Sequence, residues 1–209
     1  MEKVATHLGK VLHKHGNKYI CEFGVGDKKT SILWEELNEL FLGSQRTSVN
    51  FMPASESVSI KVVSITGEKI NFEQKAPFVM SRKKKDTIYS IYSFVVKKII
   101  DRQMSELVTA LKGGNRVSFK SFDMTSNAIY RKKFFGGHDI IDCDRIVGCD
   151  FYNGEFVIKF IDNKGSWKQK DSGRVADIPN IHLAQALLLS IAKSNLEARK
   201  KGTRESFKK

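Results

Sequence analysis

The sequence predicts an α+β, mainly β chain made of two successive strand-rich units, each closed by a C-terminal helix. Three observations predict it. Short alternating apolar–polar segments, set apart by turn residues, fill most of the chain. Two longer stretches carry helical periodicity and run into glycine. The order of many strands followed by one helix occurs twice. The 209 residues suit two units of about 100 residues each. At 41% hydrophobic and 28% charged, the composition is that of a chain able to bury a core.

In the first half, strands are expected near 9–15, 19–23, 30–34, 39–42, 47–51, 58–65 and 69–72. Turn signals separate them at His15-Gly16-Asn17, 24–27, 53–57 and Thr66-Gly67. A helix follows over 86–112. Tyr89, Tyr92, Val96, Ile100, Met104, Leu107 and Leu111 recur on one face, Asp86 is placed to cap it, and Gly113-Gly114 stops it. Ile88, Ile91, Phe94 and Val95 add more apolar surface than one stripe uses, so this helix is expected to meet a second surface as well. Trp34, beside Ile32, is expected to be largely buried.

In the second half, strands are expected near 117–122, 128–133, 139–143, 146–152, 156–162 and 166–170. Asn153-Gly154 is the strongest hairpin signal, because both residues tolerate positive φ. Lys164-Gly165 is another. The second helix is expected over 177–200, capped by Asp177, with Pro179 in its first turn and Gly202 at its end. Its apolar face is Ile181, Ala184, Leu187, Leu188 and Ile191. The units are thus 1–114 and 115–202, followed by a disordered basic tail over 203–209.

No stretch is apolar for the eighteen or so residues that would cross a bilayer, and the first ten residues lack the apolar core of a signal peptide. The expected location is cytoplasmic. Cys21, Cys143 and Cys149 are too few and scattered for a disulfide framework and are expected as free thiols. His13 with His15, and His138 with Cys143 and Cys149, lack the tight spacing of a metal site. The glycines of Gly24-Val25-Gly26-Asp27-Lys28-Lys29-Thr30 do not have the spacing of a phosphate-binding loop, and a turn explains them. No cofactor and no catalytic residue is expected.

Ser59-Ile60-Lys61-Val62-Val63-Ser64-Ile65-Thr66-Gly67 aligns with Val157-Ile158-Lys159-Phe160-Ile161-Asp162-Asn163-Lys164-Gly165, which points to duplication. About seven antiparallel strands closed by one helix resembles the pleckstrin-homology-like superfold. In the first half, the stretch from Ile32 through Trp34-Glu35-Glu36 to Leu40 looks like one common in bacterial members. Its counterpart, Ile140 to Ile146, lacks the Trp. The resemblance implies two tandem units, each a bent sheet or partly open barrel plugged by its helix. It also implies a non-catalytic binding or scaffold role, with a partner protein or an anionic ligand as the thing bound.

The net charge is +13, concentrated in Arg82–Lys85, Arg131–Lys133 and the segment 193–209, where seven basic residues face two acidic ones. Phosphoinositide-binding members of the family place a Lys on the first strand and alternating basic residues on the second. By that resemblance Lys120, Arg131 and Lys133 are the expected ligand-binding residues, with Arg131 and Lys133 on one strand face. The same charges would equally protect a solvated sheet edge. In the first half only Lys10, Lys14 and Lys18 surround the equivalent turn. The basic clusters also suit peripheral contact with an anionic membrane. Nucleic acid is the weaker candidate, because aromatics interleave with basic residues only at Tyr130-Arg131 and Phe134-Phe135.

Overall fold

Alternating strands with one apolar face must bury that face against another layer, and this chain does so twice. The computed structural model describes residues 6–49, 52–133 and 136–206. It divides into two compact units, Met1–Asp101 and Arg102–Lys209.

The first unit opens with a four-stranded antiparallel meander, β1 (Val11–His15), β2 (Lys18–Cys21), β3 (Gly24–Gly26) and β4 (Ser31–Leu33). A three-stranded antiparallel meander follows, β5 (Leu37–Val49), β6 (Met52–Ser64) and β7 (Lys69–Pro77). Helix α1 (Arg82–Lys112) comes next. Ile88, Ile91, Val95 and Ile99, one face of α1, pack into a core with Ile20, Ile32, Leu40, Val58, Ile60 and Phe72 from both sheets.

The second unit repeats the order. β8 (Val117–Ser118), β9 (Phe122–Met124), β10 (Ala128–Lys132) and β11 (His138–Asp142) form a four-stranded antiparallel sheet. β12 (Ile146–Tyr152), β13 (Glu155–Ile161) and β14 (Trp167–Arg174) form a three-stranded one. Helix α2 (Ile181–Ser206) closes the series. Its Asn195 amide donates to the carbonyls of Cys143 and Ile146, both at 2.8 Å, which ties α2 to the start of β12. Rings of Phe119, Phe122 and Phe156 stack in sequence through the core, at 5.1 and 6.0 Å.

The aligned segments occupy the same place in the two series. Ile60 and Ile158 are both fully buried on the middle strand of a three-stranded sheet. Each strand ends in a turn whose glycine, Gly67 or Gly165, has positive φ and donates to the carbonyl three residues earlier at 3.0 Å. The Trp34 stretch and its counterpart both lie between the fourth strand and the fifth.

Several expectations are corrected. The segment 39–42 and residues 47–49 of the segment 47–51 belong to the single strand β5, because the ladder to β6 runs on through Gly43, Ser44 and Gln45; residues 50 and 51 lie outside the described residues. Gly24–Gly26 is a buried strand and not a turn. The segment 117–122 is broken at Lys120, whose φ of 65° turns the chain between β8 and β9. Helix α1 begins at Arg82, so Asp86 lies inside it and Arg82–Lys85 is helical; the backbone carbonyl of Ser81 takes the N–H groups of Lys84 and Lys85. Its buried face is the Ile88 face, while Tyr89 is exposed. Asp177 sits in a 3-10 turn, and α2 starts four residues later. The helix continues through Gly202 to Ser206, since one glycine costs only about 1 kcal/mol among good helix formers. By its contacts the chain divides at Asp101/Arg102, inside α1, which runs on to the expected stop at Gly113-Gly114. Those glycines do end the helix: Asn115 N–H reaches the Ala110 carbonyl and Gly114 N–H that of Leu111.

Candidate functional site

Strand β10 carries Arg131 into a part of the second unit where both sheets contribute charge. Arg131 pairs in register with Asp139 of β11, and its guanidinium donates to the Asp139 carboxylate at 3.2 Å. Lys133, two residues on and just past the end of β10, reaches the other carboxylate oxygen at 3.0 Å. Lys170 of β14, in the three-stranded sheet, donates to Asp139 at 3.0 Å. Three cations thus meet one carboxylate, leaving a local charge of two positive. Hydrogen bonds from Lys170 and Lys133 hold the Asp139 carboxyl down to about 2.

Lys120 does not join them. It occupies the tight turn after β8, its carbonyl accepts from the Lys132 ammonium at 2.9 Å, and its own ammonium makes no ion pair among the described residues. Lys132 points to the opposite face of β10, toward Asp123, which also pairs with Arg116 at 2.8 Å. Burial pushes the Asp123 carboxyl up, but the Ser118 hydroxyl, Lys132 and Arg116 outweigh it and hold the group below its usual range. Arg116 also lies over the Tyr130 ring at 4.4 Å. Phe134-Phe135, read as part of an aromatic–basic cluster, lies outside the described residues.

Lys170 escaped the sequence reading. It sits 31 residues beyond Asp139 on a strand of the other sheet, a separation that no local pattern bridges. In the first unit no matching cluster forms among the described residues: Lys14 lies over the Tyr19 ring, and Lys18 bonds the neighbouring Asn17.

Two other features have chemical interest. A cleft of about 610 Å³ lies between the β9–β10 turn, the 3-10 turn Cys143–Arg145 and α2, lined by Ser126, Asn127, Asp142, Asp144, Ser190 and Ser194. Its Asp142 is engaged by Arg145 at 3.3 Å. The His7 imidazole lies 3.1 Å from the Ser31 hydroxyl, a nucleophile–base pair that sequence spacing did not suggest. The pair is exposed, and no third group orients the ring among the described residues.

Burial pushes the thiols of Cys143 and Cys149 up to about 11 and raises Cys21 as well, which keeps all three protonated. Among the described residues, no three His, Cys, Asp or Glu side chains are grouped to hold a metal ion. No helix of the described residues is long and apolar enough to cross a membrane. The chain matches no protein-family model and no curated protein.

Proposed function

We propose that this chain is a non-catalytic binding module, two pleckstrin-homology-like units in tandem, and that the second unit takes an anionic, phosphate-bearing ligand. The repeated series of four strands, three strands and a helix supports the tandem reading. The observation that carries the ligand is the convergence of Arg131, Lys133 and Lys170 on Asp139. A single carboxylate offers two oxygens to three cations. A phosphate group brings more oxygens and more charge, and charge-assisted bonds to it are stronger than neutral ones. Because the cations come from two sheets, their spacing is held by the fold.

Inositol hexakisphosphate and inorganic pyrophosphate are suitable probes. Calorimetric titration should show binding by the intact chain that weakens as salt rises. Arg131→Ala/Lys133→Ala/Lys170→Ala should abolish it while the far-UV spectrum is kept, and Lys120→Ala should change it little. A wild-type chain that binds neither probe at low salt would overturn the reading. A triple variant that binds as well as wild type would do the same.

A further inference from the structure

The junction between β7 and α1 exposes apolar and cationic side chains side by side. After β7 ends at Pro77, Phe78 and Val79 turn outward, 68% and 54% exposed, while Met80 is buried and anchors the segment. Phe78 holds φ at 61°, a conformation an aromatic residue adopts at a cost, and its N–H is tied to the Ala54 carbonyl at 3.1 Å. The fold therefore presents this ring to solvent from a fixed backbone. Arg82, Lys83 and Lys84 follow in the first turn of α1, all exposed.

The charges there are unbalanced. Lys85 is used internally: Glu56 takes its ammonium at 2.7 Å and the Met80 N–H at 2.7 Å. Arg82 has only a loose contact with Asp86, at 4.0 Å. Lys83 and Lys84 make no ion pair among the described residues. Three cations thus crowd a helix N-terminus, whose dipole already favours negative charge. An external anionic surface would relieve both repulsions, and it would receive Phe78 and Val79 in its apolar layer.

We infer that this edge of the first unit is a docking surface for an anionic lipid bilayer, with Phe78 and Val79 entering the interface and Arg82, Lys83 and Lys84 facing the headgroups. Burial of apolar side chains and attraction to anionic lipid act together in such contacts, and neither alone holds a protein firmly. The contact is separate from the Asp139 cluster and does not depend on it.

Co-sedimentation of the full chain with phosphatidylcholine vesicles, with and without phosphatidylserine, tests the inference. Two variants separate the contributions. Arg82→Ala/Lys83→Ala/Lys84→Ala spares the Lys85–Glu56 pair. Phe78→Asn/Val79→Thr removes apolar surface and, because Asn accepts positive φ more readily than Phe, does not threaten the fold. Wild type should bind only the phosphatidylserine vesicles, and less as salt rises. Each variant should bind about tenfold or more weakly than wild type, and Arg131→Ala/Lys133→Ala reports whatever share of the binding the Asp139 cluster takes. The inference is overturned if wild type ignores phosphatidylserine vesicles at low salt. It is overturned equally if either Arg82–Lys84 or Phe78–Val79 can be replaced without loss, or if only the Arg131/Lys133 variant loses binding.

Discussion

His182 shows how one side chain sets a pH limit on the fold. It is buried at the start of α2, and burial pushes its imidazole down to about 4. The unfolded chain takes up that proton at its ordinary value near 6.5, so between about 6.5 and 4 the unfolded state binds more protons than the native one. Stability is complete above that window and falls as the pH drops through it. Urea melts at pH 7 and pH 5 should differ by about 2 kcal/mol on this account, and His182→Leu should remove most of the difference. Trp34 is a second residue-scale case. It is half-buried where the sequence suggested burial, with its indole N–H donating to the Glu22 carbonyl at 2.9 Å and its ring 6.2 Å from Phe94. Trp34→Ala should cost roughly 3 kcal/mol in denaturant melts. Trp34→Phe, which keeps a ring but leaves the carbonyl without this donor, should cost about 1 kcal/mol.

At the scale of elements, two strand glycines make opposite predictions. A Cβ on Gly24 of β3 would collide with the Ile32 carbonyl of β4 and with the Leu8 side chain at 2.8 Å. Gly24→Ala should therefore destabilise the chain by about 1–3 kcal/mol, as overpacking does. Gly148 of β12 has open space around its Cβ position, and Gly148→Ala should leave the melting midpoint unchanged or raise it slightly. The same contrast explains what the sequence made legible. Asn153-Gly154 joins β12 to β13 with φ of 51° and 80°, as its local chemistry demands. Gly24 read as a turn because glycine signals two different needs, positive φ or close backbone approach, and only the neighbouring strand reveals which. The start of α1 was misread for a related reason. Asp86 looks like a cap, but the carboxylate serving the N-terminal end of this helix is Glu56, which reaches the Met80 N–H and Lys85 from β6 across the sheet. No local pattern reports such a partner. The surplus apolar residues of α1 are largely taken up by its own unit: Ile88, Ile91 and Val95 are buried, and Phe94 packs beside Trp34.

For the whole molecule, the alternation of strands and the two stretches of helical periodicity were enough to read the repeated order of elements. The site was legible in part. Arg131 and Lys133 were recognisable because side chains two residues apart in extended chain fall on one side, although β10 itself ends at Lys132. Lys170 and Asp139 were not, because they meet through strand pairings that no short window of sequence contains. The central claim is that Arg131, Lys133 and Lys170 form an anion site whose present occupant is the Asp139 carboxylate. Calorimetric titration of inositol hexakisphosphate into the Asp139→Asn variant tests it most directly, because the substitution removes the competing charge and leaves every cation in place. The account predicts tighter binding than wild type, with a steeper fall as salt rises. Affinity equal to or below that of wild type, in a variant that keeps its fold, would contradict it.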